Sequence, residues 1–232
     1  MIGIVVPAHQ EEEKIEACLQ SLWQAAAHPD LKNEPVEILV MTDSCSDATG
    51  YLARSLGAKT LDVRVRNVGM ARQFGAQVAL ASGARWLAFT DADSTVAPDW
   101  LVAQLAQKTD AVCGTVAVDD WSAYGALMPQ MQRHFDLTYI DRDGHSHVHG
   151  ANLGVSARAY HAAGGFESLA SGEDMDLVRR LSGQGARIAW SAAPRVVTSV
   201  RRDYRAPGGF GAALDRIAQL GQWAAGSYAM AA

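Results

Sequence analysis

Asp91 and Asp93 flank the small Ala92 directly after an apolar run. Residues two apart on an extended segment point the same way, so both carboxylates can face one ligand. Such a pair suits a hard divalent cation, Mg²⁺ or Mn²⁺, which takes one or two protein carboxylates and completes its shell from water and substrate phosphates. The plainer reading is a turn at a strand end, where Asp is favoured. A second acidic pair, Glu173-Asp174, follows Ser171-Gly172. Ser171 and Asp174 stand three apart and resemble a helix-capping pair. Alternatively, one carboxylate leaves the cap and faces a crevice, where it could take part in catalysis.

Arg201, Arg202 and Arg205, with Gly208-Gly209 after them, are the densest basic cluster in an acidic chain. Guanidinium groups on such a loop suit a diphosphate; a solvated surface run fits equally. His145, His147 and His149 alternate, which puts three imidazoles on one face of an extended segment. No carboxylate or thiolate cluster lies near them in sequence, so hydrogen bonding or acceptor contact is favoured over a zinc site. Neither a GxGxxG fingerprint nor a GxxxxGK[ST] loop occurs, so glycine-cradled phosphates are not how a nucleotide would be held. Cys18, Cys45 and Cys113 are odd in number and form no CxxC pair, which points to a reducing, cytoplasmic setting.

These residues must be positioned by the elements between them. Apolar runs of strand length alternate with helix-period segments in the order β-α-β-α-β-α-β, the mark of a parallel-sheet α/β architecture. Strands are expected at 2–7, 36–42, 58–63, 86–90 and 111–118, and helices from Ile15 to Ala26 and over 70–82. A further helix opens at Ala97-Pro98-Asp99. Later come helices at 157–163 and 174–184, short strands at 188–191 and 196–199, and a terminal helix over 210–223. The acids fall at strand ends, and in an open parallel sheet ligands bind outside the carboxyl ends of the strands.

With 232 residues, 49% hydrophobic and 19% charged, the chain reads as one domain, a nucleotide-binding half (1–118) before an acceptor and catalytic half (119–232). A net charge of -5 argues against nucleic acid as a partner. No basic leader precedes the first strand, and no apolar run reaches the length of a spanning helix, so a membrane would be met only at its surface. Phe210, Leu214, Ile217 and Leu220 share one face of the terminal helix. Core cover is the default use of that face, with subunit pairing, as in a homodimer, or a bilayer as the others.

Taken in order, these motifs resemble the inverting family 2 glycosyltransferases of the GT-A fold over nearly the whole chain. The segments that carry the resemblance are Val5-Val6-Pro7-Ala8-His9-Gln10-Glu11-Glu12, Thr42-Asp43-Ser44-Cys45-Ser46-Asp47, Asn67-Val68-Gly69-Met70-Ala71-Arg72, Asp91-Ala92-Asp93, His149-Gly150-Ala151-Asn152-Leu153-Gly154, Gly164-Gly165-Phe166 and Gly172-Glu173-Asp174. Gln10 stands where Asn is usual, Thr42 where an acid is usual, and Val197 to Arg202 lacks the histidine or QxxRW-like motif of many relatives.

The resemblance implies a Rossmann-like, mixed but mostly parallel central sheet flanked by helices. It further implies that Pro7, His9, Glu11, Asp43, Arg72 and Asp91 surround the nucleoside, and that Asp93, with Asp91, meets the divalent cation. Asp174 would be the general base and Glu173 would orient the site. Arg201, Arg202 or Arg205 would fold onto the diphosphate. His149, Asn152 and Trp121 would meet the acceptor. The partners would be a nucleoside-diphosphate sugar, UDP preferred over GDP and TDP, and an acceptor hydroxyl on a small metabolite, a lipid carrier or a glycan. Two other readings are a catalytically silent nucleotide-sugar sensor or scaffold and a sugar nucleotidyltransferase. The latter normally carries a glycine-rich, basic loop after its first strand, where this chain has acids.

Overall fold

The structure, a computed structural model, describes residues 1–200, 211, 212 and 214–219. Four strands, β1 (Ile2–Ala8), β2 (Val36–Asp43), β3 (Lys59–Val63) and β4 (Trp86–Phe89), pair in parallel in the spatial order β3-β2-β1-β4. β1, most of β2 and β4 are buried and read as continuous apolar runs, as parallel strands covered on both faces do. The intervening helices are α1 (Ile15–Ala26), α2 (Thr49–Ser55) and α3 (Val68–Ala81). Asn67 starts α3 by accepting a hydrogen bond from the Met70 N–H at 2.8 Å, so this helix begins before the expected Met70.

The remaining strands are β5 (Ser94–Val96), β6 (Ala111–Ala117), β7 (Leu153–Ser156) and β8 (Ile188–Thr198), and they extend the sheet to β3-β2-β1-β4-β7-β6-β8-β5. β7 is antiparallel to both β4 and β6, β6 and β8 are parallel, and β5 closes the edge antiparallel to β8. The sheet is therefore mixed. The two short strands expected at 188–191 and 196–199 are one strand, whose pairing slips between Gly114 and Thr115 so that Ser191 and Arg195 oppose consecutive residues. Helices α4 (Trp100–Ala106), α5 (Met128–Thr138), α6 (Ala157–Ala163) and α7 (Glu173–Gly183) are the further α-helices of the first 200 residues, beside short 3-10 turns at Pro29–Leu31, Ser122–Leu127 and Gly150–Asn152.

Alternation along β1 divides the core: Ile4 and Val6 pack with Ile15, Leu19, Leu22 and Trp100, while Val5 packs with Leu39, Met41, Phe89 and Tyr160. A third cluster joins Trp121, Tyr124 and Met131 to Leu214 and Ala218. The helical residues 214–219 thus cover core, whereas Phe210 and Leu220 lie outside the described residues. Among the described residues no helix is long and apolar enough to cross a membrane.

Candidate active site

The loops after β1 and β2 are laced together at the carboxyl edge of the sheet. Gln10 adopts a left-handed backbone (φ 55°), and its amide donates to Ser46 Oγ (2.9 Å) and accepts from the Ser46 N–H (2.7 Å). Glu12 accepts from the Ala48 N–H at 2.9 Å. The half-buried Pro7 and the exposed His9 flank this edge, and His9 Nδ1 lies 2.6 Å from the Asp43 carbonyl oxygen. Asp43 is buried, and its carboxylate accepts from the N–H groups of Val65 (2.9 Å) and Asn67 (3.1 Å). It thereby shapes the turn into α3. Glu11 is buried too, its N–H donating to Thr49 Oγ1 at 2.8 Å. Thr42, in place of an acid, donates its hydroxyl to Asp62 on β3.

Arg72 joins the two halves of the chain. Only 3% exposed, its guanidinium reaches Asp91 Oδ1 through Nη2 (2.6 Å) and Glu173 Oε1 through Nη1. Burial alone would lower its pKa, but the charges of Asp91, Glu173 and Asp174 outweigh burial and raise it, so it stays a cation. Space for the guanidinium comes from Gly150, where a Cβ would fall 2.4 Å from Nη2 and 2.5 Å from Cζ. Gly69 admits Glu173 in the same way, since a Cβ there would stand 3.1 Å from the Glu173 side chain and 2.5 Å from the Glu167 carbonyl.

Asp174 sits in the first turn of α7, but the helix is not capped as the Ser171 spacing suggests. Gly172, in the left-handed region (φ 75°), holds the cap position, and no side chain bonds there. Asp174 instead accepts from the Gly150 N–H at 2.8 Å through Oδ2, and from its neighbour Met175 N–H through Oδ1. Its charge also reaches Cys113 on β6, whose thiol is pushed up to about 12, mainly by burial.

Asp91 and Asp93 lie close to the buried Cys18 of α1. The Cys18 thiol donates to the Asp91 carbonyl at 3.4 Å, and its pKa is raised by burial first, then by the charges of Asp93, Asp91 and Glu11. The charges of all three acids are thus felt at this one buried thiol. Next to Asp93, Ser94 donates to Thr198 Oγ1 at 2.9 Å, which ties this loop to the end of β8. Among the described residues no group of three or more His, Cys, Asp or Glu side chains could hold an ion unaided. Arg201, Arg202 and Arg205 lie outside the described residues.

The three histidines do share a face, but their rings stack instead of converging their nitrogens: His145 on His147 at 5.5 Å and His147 on His149 at 5.9 Å. Tyr139 stacks on His147 at 4.1 Å and on Phe135 at 4.5 Å. Asn152 and Trp121, expected at the acceptor, are both buried. The Asn152 amide is fully engaged, accepting from Trp100 Nε1 (2.9 Å) and donating to the carbonyls of Thr115 (2.7 Å) and Pro194 (2.9 Å). Trp121 packs against Phe135, ring centres 5.4 Å apart, in the third core cluster. The sequence reading gave no role to the Gly150 N–H or the Tyr139 hydroxyl. In the sequence Gly150 is legible only as part of the His149 to Gly154 segment, and Tyr139 only as an aromatic face suited to a sugar ring or lipid.

A curled mixed sheet flanked by helices is the GT-A arrangement. It is seen also in the Pyrobaculum calidifontis mannosyltransferase PcManGT in complex with GDP-Man and Mn²⁺ (TM-score 0.64, 16% identity, 87% of this chain and 57% of that one). Staphylococcus aureus TarS in complex with UDP-GlcNAc is similar too (TM-score 0.61, 14% identity, 94% and 65%). The chain belongs to glycosyl transferase family 2, whose pattern it matches over residues 3–163. In sequence it is 28% identical over 186 residues to the 4,4'-diaponeurosporenoate glycosyltransferase of Staphylococcus aureus strain USA300, covering 72% of this chain and 47% of that protein. The chain thus spans about half the length of that curated relative.

Proposed function

We propose that this chain is a metal-dependent, inverting glycosyltransferase that moves a sugar from a nucleoside diphosphate to an acceptor hydroxyl. One observation carries the reading: a single buried arginine, Arg72, binds Asp91 of the donor edge and Glu173 of the acidic pair at once. The bridge supports a site shared by the acids after β4 and the acidic pair that opens α7, although 80 or more residues separate them in sequence.

Asp91 and Asp93 offer the hard oxygen donors a Mg²⁺ or Mn²⁺ ion takes, and the negative charge felt at Cys18 favours a cation there. When bound, the ion supplies Lewis-acid neutralisation of the departing diphosphate. Pro7, His9, Glu11 and Asp43 border the nucleoside. Asp174 accepts the acceptor hydroxyl proton while that oxygen forms a bond to the anomeric carbon from the face opposite the diphosphate. The bond from the anomeric carbon to the diphosphate oxygen breaks, its electron pair leaves with the diphosphate, and configuration inverts. Glu173, held by Arg72, orients this edge.

UDP is the preferred nucleotide, in keeping with UDP-GlcNAc on TarS, while PcManGT carries GDP-Man. The Staphylococcus aureus relative is named for 4,4'-diaponeurosporenoate, which joins small metabolites, lipid carriers and glycans as acceptor candidates. The test is turnover of UDP-sugars and GDP-mannose by wild type and by Asp174→Asn. Nucleotide release should fall by roughly 10²- to 10⁴-fold in the variant, with donor binding retained. Equal turnover in the two would remove Asp174 as base, and binding without turnover in wild type would point to a sensor.

A further inference from the structure

We infer that Tyr139 and His149 are a positioning pair, in which Tyr139 fixes the His149 tautomer and the anchored His149 holds the Gly150 N–H against Asp174. The inference rests on the reading of Asp174 as the base. It starts from donor accounting at the Tyr139 hydroxyl, which has one hydrogen to give. The Val116 N–H on β6 lies 2.8 Å from that oxygen and can only donate. The phenol oxygen therefore accepts from Val116, and we assign its own hydrogen to His149 Nε2 at 2.9 Å, the arrangement that gives that hydrogen an acceptor. An accepting Nε2 carries no proton, so the neutral ring carries it on Nδ1.

Other contacts fix the pair in place. The Tyr139 ring stacks on both Phe135 and His147, nearly parallel to each (16° and 6°). The Ile140 N–H donates to His147 Nε2 at 3.1 Å, and the His149 carbonyl accepts from the Asn152 N–H at 3.0 Å. A ring neutral at physiological pH is also what its surroundings enforce: burial first, then the neighbouring His147 and His145, press the His149 pKa down to about 4. The peptide that follows His149 supplies the Gly150 N–H, 2.8 Å from Asp174 Oδ2, and the same glycine stands so close to the Arg72 guanidinium that a Cβ would collide with it. Any rotation of the 149–150 peptide would move that donor off the carboxylate and press on Arg72. The stacked rings thus tie the loop to β6 on one side and present one backbone donor on the other. Neither Tyr139 nor His149 needs to touch a reacting atom for this.

Nitrogen-15 spectra of the wild-type imidazoles test the tautomer directly, with no substitution. His149 is expected to show an unprotonated Nε2 and a protonated Nδ1 from pH 6 to 8, and a protonated Nε2 would overturn the inference. Tyr139→Phe keeps the stacked ring and removes only the hydroxyl. It should lower kcat by roughly ten- to a hundredfold, the scale of a small misplacement, with donor KM within about twofold. His149→Gln, which keeps an acceptor for the phenol, should retain more activity than His149→Leu. Wild-type kcat in Tyr139→Phe, or equal losses in the two His149 variants, would refute the pair. If Asp174→Asn turned over normally while Tyr139→Phe lost kcat, the base assignment would fall and the pair would act on some other group.

Discussion

Arg72 is the residue on which the crevice most depends, because one guanidinium fork satisfies two carboxylates from distant parts of the chain. A lysine keeps the charge but offers a single point instead of a planar fork, so Arg72→Lys leaves one acid without its partner. Glu173 is only 6% exposed, and stranding a buried charge costs about 3–5 kcal/mol. Arg72→Lys is therefore expected to lose stability on that order in urea denaturation; an unchanged midpoint would show that the two acids do not need the bridge. The sequence made Arg72 legible as a site residue through Asn67-Val68-Gly69-Met70-Ala71-Arg72, with the nucleoside as its expected partner. The structure turns its head inward onto Asp91 and Glu173. Local spacing cannot reveal a contact between residues 72 and 173, which exists only once the sheet has formed. Asn152 shows the same limit: its place in a motif is visible, but three buried hydrogen bonds engage its amide.

Glycines at element ends separate two physical effects within the same site. Gly172 precedes α7 at φ 75°, and a Cβ there would meet nothing within 4 Å, so Gly172→Ala carries backbone strain alone, about 1–2 kcal/mol. Gly150 opens the turn before β7, and there a Cβ collides with the Arg72 guanidinium. Gly150→Ala should cost a comparable 1–3 kcal/mol through overpacking, but should also disturb the Asp174 contact and lower kcat by tenfold or more. Gly172→Ala is expected to keep the larger share of activity at similar stability. Thermal melts paired with kcat for the two variants check this, and equal activities would deny Gly150 its part in the site. At this scale, element legibility followed length and burial. β1, β2, β4 and β6 were visible as apolar runs, and α1 by its periodic apolar face. The short β5 and β7, of three and four residues, carry too few positions for a pattern. α5 carries a short apolar face of Met128, Met131 and Phe135, but only Met131 is fully buried, and the polar residues around it weaken the pattern. β8 was split in the reading by Ala192-Ala193-Pro194, the stretch where its register slips.

Across the whole molecule, parallel β1, β2 and β4 bring His9, Asp43 and Asp91 to one edge, as the alternation of strands and helices predicts. What the alternation could not show is the reversal that follows. β7 enters antiparallel between β4 and β6, so the loop before it, with His149 and Gly150, arrives at the edge where β4 delivers Asp91. Strand direction is set by connections across the molecule, not by the composition of a four-residue strand.

The central claim is that the crevice binds a nucleoside diphosphate together with a cation at Asp93. Calorimetric titration of UDP, GDP and TDP into wild type and Asp93→Ala, each with and without Mn²⁺, tests it most directly. One nucleotide, UDP first, should bind wild type only with Mn²⁺, and the variant should lose this binding. Metal-independent binding that persists in Asp93→Ala, or binding of none of the three, would contradict it.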